Sequence, residues 1–137
     1  MFVIILEVYK RFYFMDIKKI NGYNNKLSFG IKCSPHLIQT AHNSYNYSNV
    51  PNKRNLIWSF NNKVEEYSSF GYEDYTLDYE RKMTNGNWQH YLMAAKDGNP
   101  NKKFVVIKRT TLSKIINRFL NMTENEFRNT MRQKINR

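Results

Sequence analysis

Residues 72–109, YEDYTLDYERKMTNGNWQHYLMAAKDGNPNKKFVVIKR, decide the architecture of this chain. From residue 75 to residue 83 the side chains alternate. Tyr75, Leu77, Tyr79 and Met83 share one face, and Asp74, Thr76, Asp78, Glu80 and Lys82 the other, the period-two pattern of a strand with one buried side. Asn85-Gly86-Asn87 then supplies residues that tolerate positive φ. Residues 88–96 read as a second strand, leading into Asp97-Gly98-Asn99-Pro100, a hairpin signal. The β-branched run Phe104-Val105-Val106-Ile107 makes a third strand. The stretch therefore predicts a three-stranded antiparallel meander over about residues 72–109.

Working outward, Thr110 or Thr111 is placed to cap a helix in which Leu112, Ile115, Ile116, Phe119 and Leu120 form one apolar stripe, opposite Lys114, Asn117 and Arg118. Thr123 and Glu126 have capping-box spacing. They open a last helix with Phe127, Met131 and Ile135 on one side and Arg128, Arg132 and Lys134 on the other. Upstream of the meander, Ser34-Pro35 is an N-cap followed by proline at the first helical position, and Leu37, Ile38, Ala41 and Tyr45 follow at helical spacing. His36 and His42 stand six residues apart on that helix, on different faces, which argues against a two-histidine metal site. Residues 43–55 read as a loop whose Tyr45, Tyr47, Lys53 and Arg54 can touch a partner. Residues 56–60 read as a strand, and residues 61–69, with Lys63, Glu65 and Glu66, as an exposed turn or short helix.

At the N-terminal end, residues 16–20 and 27–33 read as a hairpin in which Leu27, Phe29, Ile31 and Cys33 share a face. Residues 1–14 form an extra strand or lie upstream of a true start at Met15. Their apolar run is broken by Glu7, Lys10 and Arg11 and falls short of the ~20 residues that span a bilayer, so no membrane association is expected. Together these segments predict an α+β fold. The antiparallel sheet is packed by two C-terminal helices and one helix in the N-terminal half, and residues 1–137 form a single domain.

The lone Cys33 cannot form an internal disulfide, and no Cys/His cluster has zinc-ligand spacing, which points to an intracellular, cytoplasmic protein. The net charge is +11, divided as +5 over residues 1–70, −2 over 71–100 and +8 over 101–137. AT-rich codon usage would account for some of the Lys and Asn. Clustered Lys and Arg repel one another unless a polyanion neutralises them, so the economical partner is nucleic acid or a nucleoprotein complex. Lys102, Lys103, Lys108 and Arg109 flank the last strand, and Lys114, Arg118, Arg128 and Arg132 decorate the helices beyond it. If these eight converge they make a phosphate-tracking surface, with tyrosines to stack on bases.

Two enzymatic alternatives arise from the meander. Asp78, Glu80 and Lys82 fall on one side of the first strand, a spacing at which Asp78 and Glu80 can share a divalent metal beside a lysine. Glu80-x-Lys82 resembles the second half of the motif in PD-(D/E)xK nucleases. That family also needs an acid on a neighbouring strand, for which the chain offers Asp78 on the same strand or Glu65 and Glu66. The second alternative is His90, on a face with Trp88 and Leu92 and with Tyr79, Arg81, Lys103 and Lys108 on adjoining strands. It fits a metal-independent ribonuclease. The order of elements is similar to that of RelE-like ribonuclease toxins. A third reading is an inhibitor from a phage or mobile element that docks on a host nucleic-acid enzyme. No cofactor is expected outside the metal-nuclease alternative. Oligomeric state is left open. P-loop, GxGxxG, G-x-S-x-G and HExxH motifs are all absent.

Overall fold

The computed structural model describes residues 30–137. In chain order the elements are β1 (Lys32–Cys33), α1 (Pro35–Asn46), α2 (Lys53–Tyr67), β2 (Tyr75–Thr84), β3 (Asn87–Lys96), β4 (Asn99–Arg109), α3 (Leu112–Asn121) and α4 (Glu124–Ile135). The strand expected over residues 1–14, the alternative start at Met15 and most of the hairpin over residues 16–33 lie outside the described residues.

The sheet runs β1-β2-β3-β4, with the meander antiparallel as predicted and the short β1 joined parallel to β2. Asn85 and Gly86, at φ 53° and 83°, form a two-residue turn. That left-handed pair matches the twist of its flanking strands. Gly30, just before β1, has a steric reason: a Cβ there would overlap the backbone carbonyl of Ser68. The sheet is open and mixed, mostly antiparallel, which makes the fold α+β.

One side of the sheet carries the helices. Leu77 and Tyr79 of β2, Leu92 and Ala94 of β3 and Ile107 of β4 pack there against Leu37, Ala41, Phe60, Tyr67, Ile115, Ile116, Phe119, Phe127 and Met131. The Tyr67 ring lies parallel on Phe119 at 4.4 Å between centroids, Phe60 stacks on Phe119 at 4.9 Å, and Phe127 meets Tyr67 edge-on at 5.3 Å. The Tyr67 hydroxyl donates to the Phe119 carbonyl at 2.9 Å, which satisfies the polar end of a fully buried ring. One aromatic stack thus joins α2, α3 and α4. The capping expectations hold. The Ser34, Thr111 and Thr123 hydroxyls accept from Leu37, Lys114 and Glu126 N–H, and Thr123 and Glu126 form the reciprocal box.

The expected strand over residues 56–60 is corrected to helix. It belongs to α2, which absorbs the short helix expected over residues 61–69 and trims the loop expected over residues 43–55 at both ends. Leu56, Ile57, Phe60, Val64 and Tyr67 recur at helical spacing and pack on or within the core. Four apolar or aromatic residues among the five of LIWSF look strand-like when the repeat beyond Phe60 is ignored. Tyr45, expected among the partner-facing residues, is buried, whereas Tyr47 is fully displayed.

His42 lies edge-on to Phe60 at 6.0 Å and hydrogen-bonds Asn61 Oδ1 at 2.8 Å. Burial lowers its pKa below the usual 6.5, against a smaller opposing pull from the Asn61 hydrogen bond. The folded chain therefore binds this proton less readily than the unfolded chain. Its contribution to stability is intact above pH 6.5 and declines as pH falls below that value. The Tm difference between the native chain and a His42→Gln variant should narrow or invert between about pH 7.5 and about pH 5 in calorimetric scans. A difference that stays constant over that range sinks this assignment.

Candidate nucleic-acid interface at the open end of the sheet

Strand alternation and register assign each functional side chain to one side of the sheet. On the helix-bearing side, rows of directly opposed residues run across the strands: Tyr79, Leu92 and Ile107, then Arg81, His90 and Arg109, then Met83 and Trp88. The first row is buried under the helices. The later rows emerge from beneath them, and every residue from Arg81 to Trp88 is exposed. The Arg81 guanidinium lies 4.3 Å from the Trp88 ring centroid, a cation–π contact in which the planar ion stacks on the indole. Trp88 remains 44% exposed and Met83 53% exposed, so the indole ring and the thioether are displayed rather than packed away.

His90 sits at the centre of this end. Arg81 and Arg109 are its cross-strand neighbours on either side, and the Arg109 Nη1 is anchored on the Lys108 carbonyl at 2.7 Å. Nδ1 of His90 is 2.6 Å from the Tyr79 hydroxyl, the two rings stack at 5.9 Å, and the His36 ring lies 6.1 Å from that of Tyr79. Partial burial, and then the Arg81 charge, hold the His90 pKa below the usual imidazole value. Burial raises that of Tyr79, with Arg81 pulling the other way. Both effects favour the neutral form of an imidazole whose cross-strand neighbours are arginines.

On the helix-free side, Tyr91 has Lys82 Nζ at 5.9 Å and Lys108 Nζ at 6.0 Å from its ring centroid. Asp78, Glu80 and Lys82 share this side, as their alternation requires, but each carboxylate is already engaged. Asp78 Oδ1 accepts from the Ser34 hydroxyl at 2.6 Å and from Tyr79 N–H at 2.7 Å. Glu80 binds Lys103 Nζ at 2.6 Å, and the register makes this pair cross β3 diagonally over Met93, which is 8% exposed. Glu65 and Glu66 belong to α2, in the helical layer on the other side of the sheet, where Glu66 pairs with Lys63. Among the described residues no group of three or more His, Cys, Asp and Glu could hold a metal ion. Burial pushes the Cys33 thiol up to about 12, so it is protonated at neutral pH.

The eight basic residues expected at a nucleic-acid surface do not form one group. Arg118 faces Glu126 at 3.5 Å, and Arg128 binds Glu124 at 2.8 Å. These two glutamates are the whole acidic complement of residues 101–137. Such exposed pairs contribute about 0–1 kcal/mol, so their main consequence is to neutralise the helices. Arg132 donates to Asn129 at 2.7 Å, Lys114 reaches Thr110 at 3.5 Å, and Lys103 is taken by Glu80. Lys102 is an exposed residue of β4. Lys108 and Arg109 end β4 beside the exposed hairpin, where they join Arg81 and Lys82. The register also separates residues expected beside His90: Tyr79 and Arg81 share its side of the sheet, while Lys103 and Lys108 fall on the other. Arg81, Lys82, Trp88 and Tyr91 lie outside the expected basic surface, in a segment, residues 71–100, whose summed charge is −2. The overlooked signal is that residues 81–96 contain no acid at all.

Among the described residues no helix is long and apolar enough to cross a membrane. Comparison with protein-family models, with curated proteins and with solved structures finds no match to the chain.

Proposed function

We propose that the chain binds single-stranded nucleic acid at the open end of its sheet, gripping phosphates with Arg81, Lys82, Lys108 and Arg109 and stacking bases on Trp88 and Tyr91. The observation that carries this reading is the exposed Trp88 with Arg81 stacked at 4.3 Å on a hairpin strand that holds no acid beyond Glu80. Stacking platforms interleaved with cations are what flexible single strands require. Every base has a π face, and the phosphates repeat along the strand, so neither contact depends on sequence. A duplex hides its base faces and offers such a platform only its phosphates.

Fluorescence anisotropy with a labelled single-stranded oligonucleotide tests the proposal. Four basic side chains on phosphates give a slope of log K against log salt of about −3, from roughly −0.7 per contact on single strands. Trp88→Ala should weaken binding by about 1–3 kcal/mol, roughly 5- to 150-fold. Binding absent at about 50 mM salt sinks the proposal, and affinity indifferent to Trp88→Ala removes the hairpin from the interface.

A further inference from the structure

The geometry points to a second capacity at the same place: cleavage of RNA by transesterification, with His90 as general base and Arg81 and Arg109 as the phosphate clamp. The inference rests on the binding reading, since the strand must first lie across the sheet end. Its support is the arrangement around one imidazole. The register makes Arg81 and Arg109 the cross-strand neighbours of His90 on its two sides. Two strand spacings of about 4.8 Å put these arginines roughly 10 Å apart at the backbone, a gap that two long side chains reaching toward one phosphate can close. The 2.6 Å contact between His90 Nδ1 and the Tyr79 hydroxyl occupies one ring nitrogen and orients the other, Nε2. His90 keeps partial exposure, as a base that must meet a substrate hydroxyl requires. A binding platform alone needs neither a histidine between two arginines nor a tyrosine to hold its ring.

The reaction balances without a metal. With the Nδ1 proton donated to the Tyr79 oxygen, His90 Nε2 takes the proton of a ribose 2′-hydroxyl, and the 2′-oxygen attacks the adjacent phosphorus. The new P–O2′ bond forms as the P–O5′ bond breaks, and the leaving 5′-oxygen takes a proton from water. His90 returns its proton to the hydroxide so produced. The products are a 2′,3′-cyclic phosphate and a 5′-hydroxyl, and no group of the protein is consumed. Arg81 and Arg109 offset the charge that builds on the non-bridging oxygens. The base must be neutral to act, and burial and Arg81 already favour that form. The rate should therefore climb with pH and level off below pH 6.5.

The test uses the full chain, a labelled single-stranded RNA and the same oligonucleotide with 2′-deoxy sugars, with EDTA present. The expected result is slow cleavage of the RNA to cyclic-phosphate ends, with binding but no cleavage of the deoxy strand. His90→Gln, purified in parallel, should lose about 100-fold or more in cleavage rate, read at saturating RNA so that any change in binding is divided out. Binding of both strands without cleavage overturns the ribonuclease inference and leaves the binding reading intact. Absence of binding to either strand overturns both. Cleavage that persists in His90→Gln, or that appears only with a divalent metal, removes His90 from the chemistry and overturns the inference.

Discussion

Phe119→Ala should cost about 3–5 kcal/mol of folding stability, the range for deleting a large buried aromatic side chain. Phe119 is 1% exposed, and its ring lies between Phe60 at 4.9 Å and Tyr67 at 4.4 Å. Truncation would leave a ring-sized void bordered by three helices. The neighbours cannot close it cheaply, because the Tyr67 hydroxyl is tied to the backbone carbonyl of residue 119 itself at 2.9 Å. A small domain holds only about 5–15 kcal/mol in total, so the variant should approach the limit of folding at 37 °C. Urea denaturation followed by circular dichroism reads the change. A loss below about 1 kcal/mol would mean that the helical layer does not pack as described. Phe119→Leu, which refills much of the volume, should recover more than half of the loss.

The second large effect concerns binding. Replacing Arg81, Lys82, Lys108 and Arg109 together with glutamine should lower affinity for single-stranded nucleic acid by at least about 100-fold near physiological salt, with the salt slope falling toward zero by roughly 0.7 per lost contact. A matched variant with Lys114, Arg118, Arg128 and Arg132 replaced by glutamine removes the same formal charge. It should change affinity far less, because Arg118 and Arg128 are already neutralised by Glu126 and Glu124. Arg81, Lys82 and Lys108 are exposed, and surface substitutions of this kind usually stay within about 0.5 kcal/mol each, so both proteins remain folded for the comparison. Equal losses in the two variants would show that net charge alone drives binding. A larger loss in the helix variant would move the interface to α3 and α4.

The pairing of these two variants follows from what charge counting misses. Summed along the chain, residues 101–137 are the basic segment and residues 71–100 are acidic. Folding redistributes those charges. Glu73 and Asp74 precede β2, Asp97 binds Lys32 at the other hairpin, Asp78 turns to Ser34, and Glu80 turns to Lys103. What remains at the far end of β2 and β3 is Arg81 and Lys82 with the exposed Trp88 and the half-buried Tyr91. Of the metal-nuclease constellation, alternation correctly placed Asp78, Glu80 and Lys82 on one side. Their engagement with Ser34, Lys103 and Tyr91 depended on partners 44, 23 and 9 positions away in sequence, which no local pattern encodes.

Strand periodicity, the Asn-Gly and Asp-Gly turns, and the Ser34, Thr111 and Thr123 caps were legible from the sequence alone, because each is a short-range matter of backbone geometry and local hydrogen bonding. They determined the meander, three of the helices and the α+β class. The tertiary structure decided what local chemistry leaves open. LIWSF is equally compatible with a strand until Phe60 finds Phe119 and Tyr67 finds Phe119 and Phe127, at which point burial of a helical face outweighs β propensity. Cross-strand register likewise set Arg81 and Arg109 on either side of His90 and sent Lys103 and Lys108 to the opposite surface. Register depends on how whole strands align through the buried Leu77, Leu92 and Ile107, and a slip of one residue would have exchanged the two faces.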